Sequence, residues 1–151
     1  MNQMAEPKIR HADDEGTLRA CFPLMRQLRP HLADADDFLR RVSRMAADRY
    51  RILAAWDGDR PVALAGYRFQ ENLVYGPFLY VDDLVTDETV RRHRLGARLL
   101  DELTAIAEQA GCVRLVLDTA LNNALAHRFY CRQGLLTGAI RFGKDLRAKA
   151  A

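Results

Sequence analysis

Apolar residues recur along the chain at two different spacings, and each change of spacing marks the end of a predicted element. A short strand is predicted over 8–12. Two amphipathic helices follow: the first begins after Asp13 or Asp14 and ends at Pro30, and the second runs from about 34 to 47. In the first helix, apolar side chains repeat at helical spacing at Leu18, Cys21, Phe22, Met25 and Leu28.

The middle of the chain has the shorter period of strands. Residues 50–56 and 61–69 flank Asp57-Gly58-Asp59, which is a turn signal and predicts a hairpin. A third strand is predicted over 78–85, after an irregular loop at 71–77.

The last third returns to helices that alternate with strands. The predicted elements are a helix from Leu95 that stops at Gly111, a strand over 112–117, a helix over 122–132 and one or two strands within 135–146. The order is β-α-α-β-β-β-α-β-α-β, with room for one more strand. It predicts a mixed α/β (α+β) domain whose sheet is mostly antiparallel, with one right-handed parallel crossover between the strands at 78–85 and 112–117.

Composition narrows the function classes. The chain has 151 residues, which suits a single domain spanning 1–151, with 49% hydrophobic and 28% charged residues. The net charge of +3 is mild, and acidic residues interrupt every basic stretch, so no nucleic-acid partner is expected. Three separated cysteines without metal spacing predict neither a disulfide framework nor a metal site. No targeting or membrane segment is recognised, which favours a cytoplasmic protein that does not bind membranes.

A basic loop precedes the helix that begins at Leu95. Arg91, Arg92, His93 and Arg94 stand immediately before it, and Gly96 lies in its first turn. The first amides of a helix have no internal partners and attract anions, so this segment can bind a pyrophosphate. The alternative is a solvated basic turn. Neither a P-loop nor a dinucleotide fingerprint is present.

The second candidate stretch is the helix that contains Asn123 and Tyr130. Asn123 stands at the helix start, where its side chain can cap the helix or reach a ligand. Tyr130 lies two turns further on the same face, and as a core aromatic it would need no function.

Together the two stretches resemble the GNAT superfamily of N-acetyltransferases. The family's cofactor motif, Gln/Arg-x-x-Gly-x-Gly/Ala, aligns with residues 91–96, with Arg94 where the first glycine is usual. Its later motif, Asn-x-x-Ala-x-x-Phe-Tyr-x-x-x-Gly-Phe, is matched by Asn123, Ala126, Phe129, Tyr130, Gly134 and Leu135, with Leu135 in place of the Phe. The resemblance implies a GNAT-like fold with six or seven strands and about four helices.

The resemblance also implies a reaction and its residues. Acetyl-CoA would give its acetyl group directly to an amine in a ternary complex, with no metal. Tyr130 would protonate the leaving thiolate, and Asp82 or else Asp83 would act as base. Adjacent strand residues face opposite sides, so one of the two acids is expected in the cleft. The cofactor would bind to Leu84, Val85, Thr86, Arg91, Arg92, His93, Arg94, Leu95, Gly96, Ala97 and Asn123.

Several alternatives stay open from the sequence. The acceptor is a small-molecule amine or a protein amine, and Arg26 and Arg29 either line its cleft or lie on a solvated helix face. A catalytically silent acyl-CoA-binding regulatory or scaffold module is the competing function. A homodimer formed through the last strand is an alternative to a monomer.

Overall fold

The computed structural model describes the backbone of residues 5–147, together with their side chains except those of 91–93. The chain divides into two compact units, one that ends at Leu117 and one that begins at Asp118, and each is described by itself.

The first unit contains a five-stranded sheet and three α-helices. Its elements in chain order are β1 (Lys8–Ala12), α1 (Glu15–Leu28), α2 (Ala35–Met45), a 3₁₀ turn (Ala46–Asp48), β2 (Arg51–Asp57), β3 (Arg60–Asn72), β4 (Gly76–Thr86), a second 3₁₀ segment (Glu88–His93), α3 (Leu95–Gln109) and β5 (Arg114–Leu117). The second unit contains α4 (Ala124–Arg132). Each predicted helix is present, and the boundaries differ from the predicted ones by a few residues.

Polar caps set the starts of the two early helices. The Asp14 carboxylate accepts a hydrogen bond from the Thr17 amide at 2.7 Å, and the Thr17 hydroxyl lies 3.3 Å from the Asp14 amide, which closes a capping box. Asp34 caps α2 by accepting from the Asp37 amide at 2.8 Å. These aspartates satisfy amides that have no partner within the helix, so the predicted helix starts are confirmed within a residue or two.

The strands lie in the order β1-β2-β3-β4-β5. The first three pairings are antiparallel, whereas β4 and β5 pair in parallel. The helix α3 connects these parallel strands, which confirms the predicted single crossover. Gly58 has a φ of 63° in the tight turn between β2 and β3, a conformation that glycine adopts without a steric penalty.

The two faces of the sheet are covered by different helices. On one face, α1 and α2 bury Cys21, Leu24 and Phe38 against Ile52 and Trp56. The alternate residues of the strands point to the other face, where α3 packs on β2, β3 and β4. The side chains that α3 buries there include Leu95, Leu99, Leu100 and Leu103.

The prediction of six or seven strands is wrong for the part of the chain that the structure describes. Residues 135–147 form no strand. Four of their large apolar side chains fall at even-numbered positions, as on one face of a strand, yet they are exposed: Leu136, Ile140, Phe142 and Leu146. Alternation marks a segment that can form a strand, but a strand also needs a neighbour for its backbone groups, and periodicity does not supply one.

Among the described residues, no helix is both long enough and apolar enough to cross a bilayer.

Candidate functional site

The acidic pair, Asp82 and Asp83, lies at a β-bulge in β4. Across β3 and β4, Tyr67 is paired with Val81 and Gly66 is paired with Asp83, so Asp82 is an extra residue on β4. Strict alternation would turn the carboxylates of Asp82 and Asp83 to opposite faces. A bulge re-aims the side chains beside it, and here both carboxylates join one cluster of polar side chains.

Asp83 is the more enclosed of the two acids. The buried Tyr50 hydroxyl donates a hydrogen bond to Asp83 Oδ2 at 2.6 Å. From the last turn of α1, Arg29 Nε donates to Asp83 Oδ1 at 3.0 Å, and Arg29 Nη2 lies 2.9 Å from the same oxygen. Two donor residues therefore hold one carboxylate in place, the neutral Tyr50 hydroxyl and the single positive charge of the Arg29 guanidinium.

Asp82 is held by a different arginine. Arg68 Nε and Nη2 donate to the two carboxylate oxygens of Asp82 at 3.0 and 2.9 Å, which is a bidentate pair. The Arg68 guanidinium also stands over the Tyr50 ring, 5.3 Å from its centroid. In addition, Arg29 Nη2 donates to the Asp82 carbonyl oxygen at 2.9 Å. Arg29 and Arg68 thereby join the two acids in one network.

The close approach of Tyr50 to Asp83 depends on a glycine in β3. A Cβ at Gly66 would overlap the Tyr50 hydroxyl oxygen and would lie 2.5 Å from Asp83 Oδ2. Any side chain at this position would force the tyrosine and the carboxylate apart. Gly66 is therefore a requirement of the network rather than a flexible point in the strand.

Burial and charge shift the acid–base properties of this network. Burial raises the pKa of Tyr50 well above its usual value, and the neighbouring Asp83 charge raises it further, so this phenol stays protonated. Burial also raises the pKa of Asp82, against the hydrogen bonds from Arg68, which lower it. The carboxylate of Asp82 hydrogen-bonds to Arg68 and raises the pKa of that guanidinium.

Next to the bulge, one edge of β4 lacks a partner strand. The parallel pairing with β5 extends from Phe78 to Val81, whereas β4 continues to Thr86. Within the described residues, no strand pairs with Asp82–Thr86 on that side. Backbone groups along this edge, including those of Leu84, Val85 and Thr86, can therefore bond to an extended ligand.

The N-terminus of α3 follows that edge after a short 3₁₀ segment. Its cap residue, Arg94, has a φ of 53°, in the left-handed region, and makes no side-chain hydrogen bond to the helix. The amides of Leu95, Gly96 and Ala97 therefore lie at a helix start without the side-chain cap that α1, α2 and α4 have. Such a helix start favours the binding of an anion. The side chains of Arg91, Arg92 and His93 lie outside the described residues.

Asn123 and Tyr130 both belong to the second unit. Asn123 caps α4: its Oδ1 accepts a hydrogen bond from the Ala126 amide at 3.1 Å. Tyr130 is half-buried beside Phe129, with ring centroids 5.2 Å apart. Burial raises the pKa of Tyr130, so its phenol is protonated at neutral pH and can donate a proton.

No three His, Cys, Asp or Glu side chains lie close enough together to hold a metal ion, as far as the described part of the chain extends.

Comparison with known proteins assigns the family. The model of the Acetyltransferase (GNAT) family matches residues 17–135, which is most of the chain. The chain belongs to the GNAT acetyltransferase family. An uncharacterized N-acetyltransferase of Bacillus subtilis (strain 168), YhdJ, is 31% identical over 110 residues, which cover 72% of this chain and 77% of that protein.

Solved structures show the same GNAT fold at low sequence identity. The aminoglycoside N-acetyltransferase AAC(6')-Iy, in complex with CoA, has a TM-score of 0.84 and 16% identity, covering 98% of this chain and 99% of that chain. The glucosamine-6-phosphate N-acetyltransferase from Arabidopsis thaliana has a TM-score of 0.74 and 22% identity, covering 92% and 97%.

In this GNAT protein, three residues that build the network around Asp82 and Asp83 are not among the site residues predicted from the sequence: Gly66, Tyr50 and Arg68. Gly66 carried a signal, because an isolated glycine within a strand pattern indicates a bulge or a close approach. Tyr50 and Arg68 carried none, since a tyrosine or arginine at the end of a strand is ordinary. Arg29 does not lie on a purely solvated face, because it pairs with the buried Asp83, although its own side chain is 42% exposed.

Proposed function

We propose that this GNAT protein is an N-acetyltransferase that transfers the acetyl group of acetyl-CoA directly to a primary amine in a ternary complex. The observation that carries the proposal is the unpaired edge of β4 beyond Val81, followed by a helix N-terminus without a side-chain cap. An unpaired edge suits the amides of a pantetheine arm, and a helix N-terminus suits a pyrophosphate. In the solved CoA complex of AAC(6')-Iy, a protein of this fold holds that cofactor.

The proposed cofactor residues fall into three groups. The backbone of Leu84, Val85 and Thr86 would bind the arm, and the amides of Leu95, Gly96 and Ala97 would bind the pyrophosphate. The family motif adds Arg91, Arg92, His93 and Arg94 to the pyrophosphate site, and it adds Asn123 to the arm. Because the Asn123 oxygen already caps α4, a bond to the arm would use its amide nitrogen as donor.

The chemistry needs two proton transfers. The amine nitrogen attacks the thioester carbonyl, the N–C bond forms, and the C–S bond then breaks. We propose that the Tyr130 phenol protonates the leaving thiolate and that Asp82, directly or through water, receives the proton of the acetylated nitrogen. Asp82 is preferred to Asp83 because its side chain is 20% exposed rather than 10% and because one residue rather than two donates hydrogen bonds to its carboxylate.

The acceptor is proposed to be a small-molecule or protein amine. The neighbours' names include acetyltransferases of aminoglycosides and of glucosamine 6-phosphate, both of which carry amines. A catalytically silent acyl-CoA-binding module would share the cofactor residues, but it would have no need for Tyr130 as a proton donor.

The proposal is tested by calorimetric binding of acetyl-CoA to the purified protein, followed by thiol release in a screen of amines. We expect binding, and we expect Tyr130→Phe to lower kcat by about 100-fold with CoA affinity nearly unchanged, because only the proton donor is lost. Tyr75→Phe, in the turn of the β3–β4 hairpin, is the matched control. Since only the protonated phenol is active, the rate should fall as pH rises through the pKa of Tyr130, which burial places above its usual value near 10.

Absence of binding at millimolar acetyl-CoA would contradict the proposal. Binding without thiol release from any amine would favour the silent module. Equal losses of affinity and rate in Tyr130→Phe would mean that the tyrosine has a structural role.

A further inference from the structure

We propose that the acceptor is an amine of low basicity, such as an α-amino group, and that Arg68 sets this preference by occupying Asp82. The inference rests on the proposed acetyl transfer and names the acceptor class of the same site. It starts from the finding that each acid of the pair is already matched by an arginine: Arg68 for Asp82, and Arg29 for Asp83.

The charges of the cluster balance. Two carboxylates face two guanidinium groups, and Asp83 also accepts from the Tyr50 hydroxyl. A further carboxylate, Asp48, lies 3.9 Å from Arg68, but it is 77% exposed, so water screens its charge. A cationic ammonium that enters from solvent therefore meets no buried carboxylate with unmatched charge.

Displacing Arg68 from Asp82 would not be a cheap alternative. The Arg68 side chain is only 15% exposed, and it donates two hydrogen bonds to the carboxylate. An ammonium that took its place would leave a largely buried guanidinium with only the solvent-exposed Asp48 as its counter-charge. The Arg68–Asp82 ion pair thus disfavours binding of a protonated acceptor beside Asp82, the preferred candidate for the base.

The same ion pair limits what Asp82 can do as a base. Burial raises the pKa of Asp82 and the hydrogen bonds from Arg68 oppose that rise. The carboxylate remains too weak a base to deprotonate an alkylammonium, whose pKa lies above 10. Once the nitrogen has attacked the thioester, however, it becomes strongly acidic, and a weak base or water suffices to take its proton. The acceptor therefore has to arrive neutral, after losing its first proton to solvent.

Solvent deprotonation favours amines with a low pKa. An α-amino group has a pKa of about 8 and a lysine side chain has one of about 10.4, so at pH 7 the neutral fraction of the α-amine is roughly 200-fold larger. Once neutral, the lysine side-chain amine is the better nucleophile, so the ratio of rates is smaller than the ratio of neutral fractions. A preference of at least about 10-fold for the α-amine is expected to remain at pH 7.

Two isomers of one compound test this preference. Nε-acetyl-lysinamide offers only an α-amine, and Nα-acetyl-lysinamide offers only the side-chain amine, with the same formula and charge type. We expect kcat/KM at pH 7 to favour the α-amine isomer by about 10-fold or more. As pH rises toward 10 the ratio should narrow, because the α-amine is already neutral while the side-chain amine is still losing its proton.

Variants of Arg68 link the preference to the ion pair. Arg68→Gln leaves Asp82 unmatched and able to bind an ammonium, which can then lose its proton to water within the complex. The ratio at pH 7 should therefore narrow by about 10-fold, mainly through a lower KM for the side-chain amine. Arg68→Lys keeps a cation beside Asp82 and should keep the preference. Arg19→Gln removes an exposed, ion-paired arginine from α1 and is the matched control. Calorimetric affinity for acetyl-CoA checks that each variant is folded.

Every outcome decides the matter. Equal or better use of the side-chain amine at pH 7, or transfer to neither isomer by a protein that binds acetyl-CoA and acetylates another amine, overturns the inference but leaves the proposed function intact. An unchanged ratio in folded Arg68→Gln overturns the role of Arg68. Failure to bind acetyl-CoA or to acetylate any amine would overturn the proposed function itself.

Discussion

At the residue scale, Asp82 and Asp83 are chemically identical neighbours whose surroundings separate them. Asp83 is fixed by Tyr50 and Arg29, whereas Asp82 has a single arginine on its carboxylate. The difference depends on Gly66, because only a residue without a Cβ lets the Tyr50 hydroxyl reach Asp83 beside the β3 backbone. A glycine on the neighbouring strand therefore helps to leave Asp82, the proposed base, as the less enclosed of the two acids.

Arg94 gives a prediction at the same scale. It caps α3 with a φ of 53°, a conformation that costs an L-residue about 1 kcal/mol and costs glycine almost nothing. Arg94→Gly should therefore raise the free energy of unfolding by about 0.5–1 kcal/mol, measured by denaturant titration.

The contribution of the Arg94 side chain to cofactor binding can be separated from that of its backbone. Arg94→Ala removes the guanidinium but keeps a Cβ in the left-handed conformation, so it should not gain stability. If the guanidinium contacts the pyrophosphate, both variants should bind acetyl-CoA more weakly, and the loss should shrink at high salt. A glycine variant that is no more stable than the alanine variant would contradict the argument from φ.

At the scale of elements, helices were more predictable than the sheet. Asp14 and Asp34 cap helices through contacts within three residues, and the sequence displays such contacts directly. The bulge at Asp82 and the end of the β4–β5 pairing at Val81 depend on the register between strands that are distant in sequence. Register follows from packing across the whole sheet, so the candidate acids were identified but their shared cluster was not.

Asn123, at the start of α4, gives a prediction because it caps the helix and is also proposed to bind the cofactor. Asn123 caps the helix through Oδ1 and, in the proposed function, donates to the cofactor through its amide nitrogen. Asn123→Asp keeps an oxygen acceptor for the cap but removes the donor, whereas Asn123→Ala removes both. We expect both variants to lose acetyl-CoA affinity in calorimetry, and only the alanine variant to lose about 1 kcal/mol of stability in denaturant titration.

Equal acetyl-CoA affinity in wild type and Asn123→Asp, together with a loss of stability in Asn123→Ala, would reduce Asn123 to a helix cap. That result would remove one contact from the proposed cofactor site and leave the residues of the first unit unaffected.

At the scale of the whole molecule, the family and the order of the five strands along the chain could be predicted from the sequence. Both depend on motif spacing and on periodicity, which are read directly from the chain. The structure of residues 135–147 could not be predicted in this way. Leu136, Ile140, Phe142 and Leu146 alternate as a strand does, but in the structure their side chains are exposed and residues 135–147 form no strand. Whether an alternating segment joins a sheet depends on a partner edge, which no local pattern specifies.

The three cysteines provide a probe of the whole chain. Cys21 is fully buried between α1 and the sheet, and burial raises the pKa of its thiol to about 12. Cys112 is half-buried, and burial raises its pKa as well, whereas Cys131 on α4 is exposed. Since the thiolate is the reactive form, at pH 8 the thiolate fraction of Cys21 is about a thousandfold below that of an ordinary cysteine.

With an aromatic disulfide reagent at pH 8, we therefore expect three phases: Cys131 first, Cys112 more slowly and Cys21 last. Cys131→Ser should remove the fast phase alone, and Cys112→Ser should remove the middle one. The Cys21 phase should accelerate with denaturant in parallel with the loss of secondary structure, because its thiol becomes reactive only when the first unit opens. A Cys21 phase that is fast in native buffer would contradict the packing of α1 on the sheet, and with it the position of Arg29 beside Asp83.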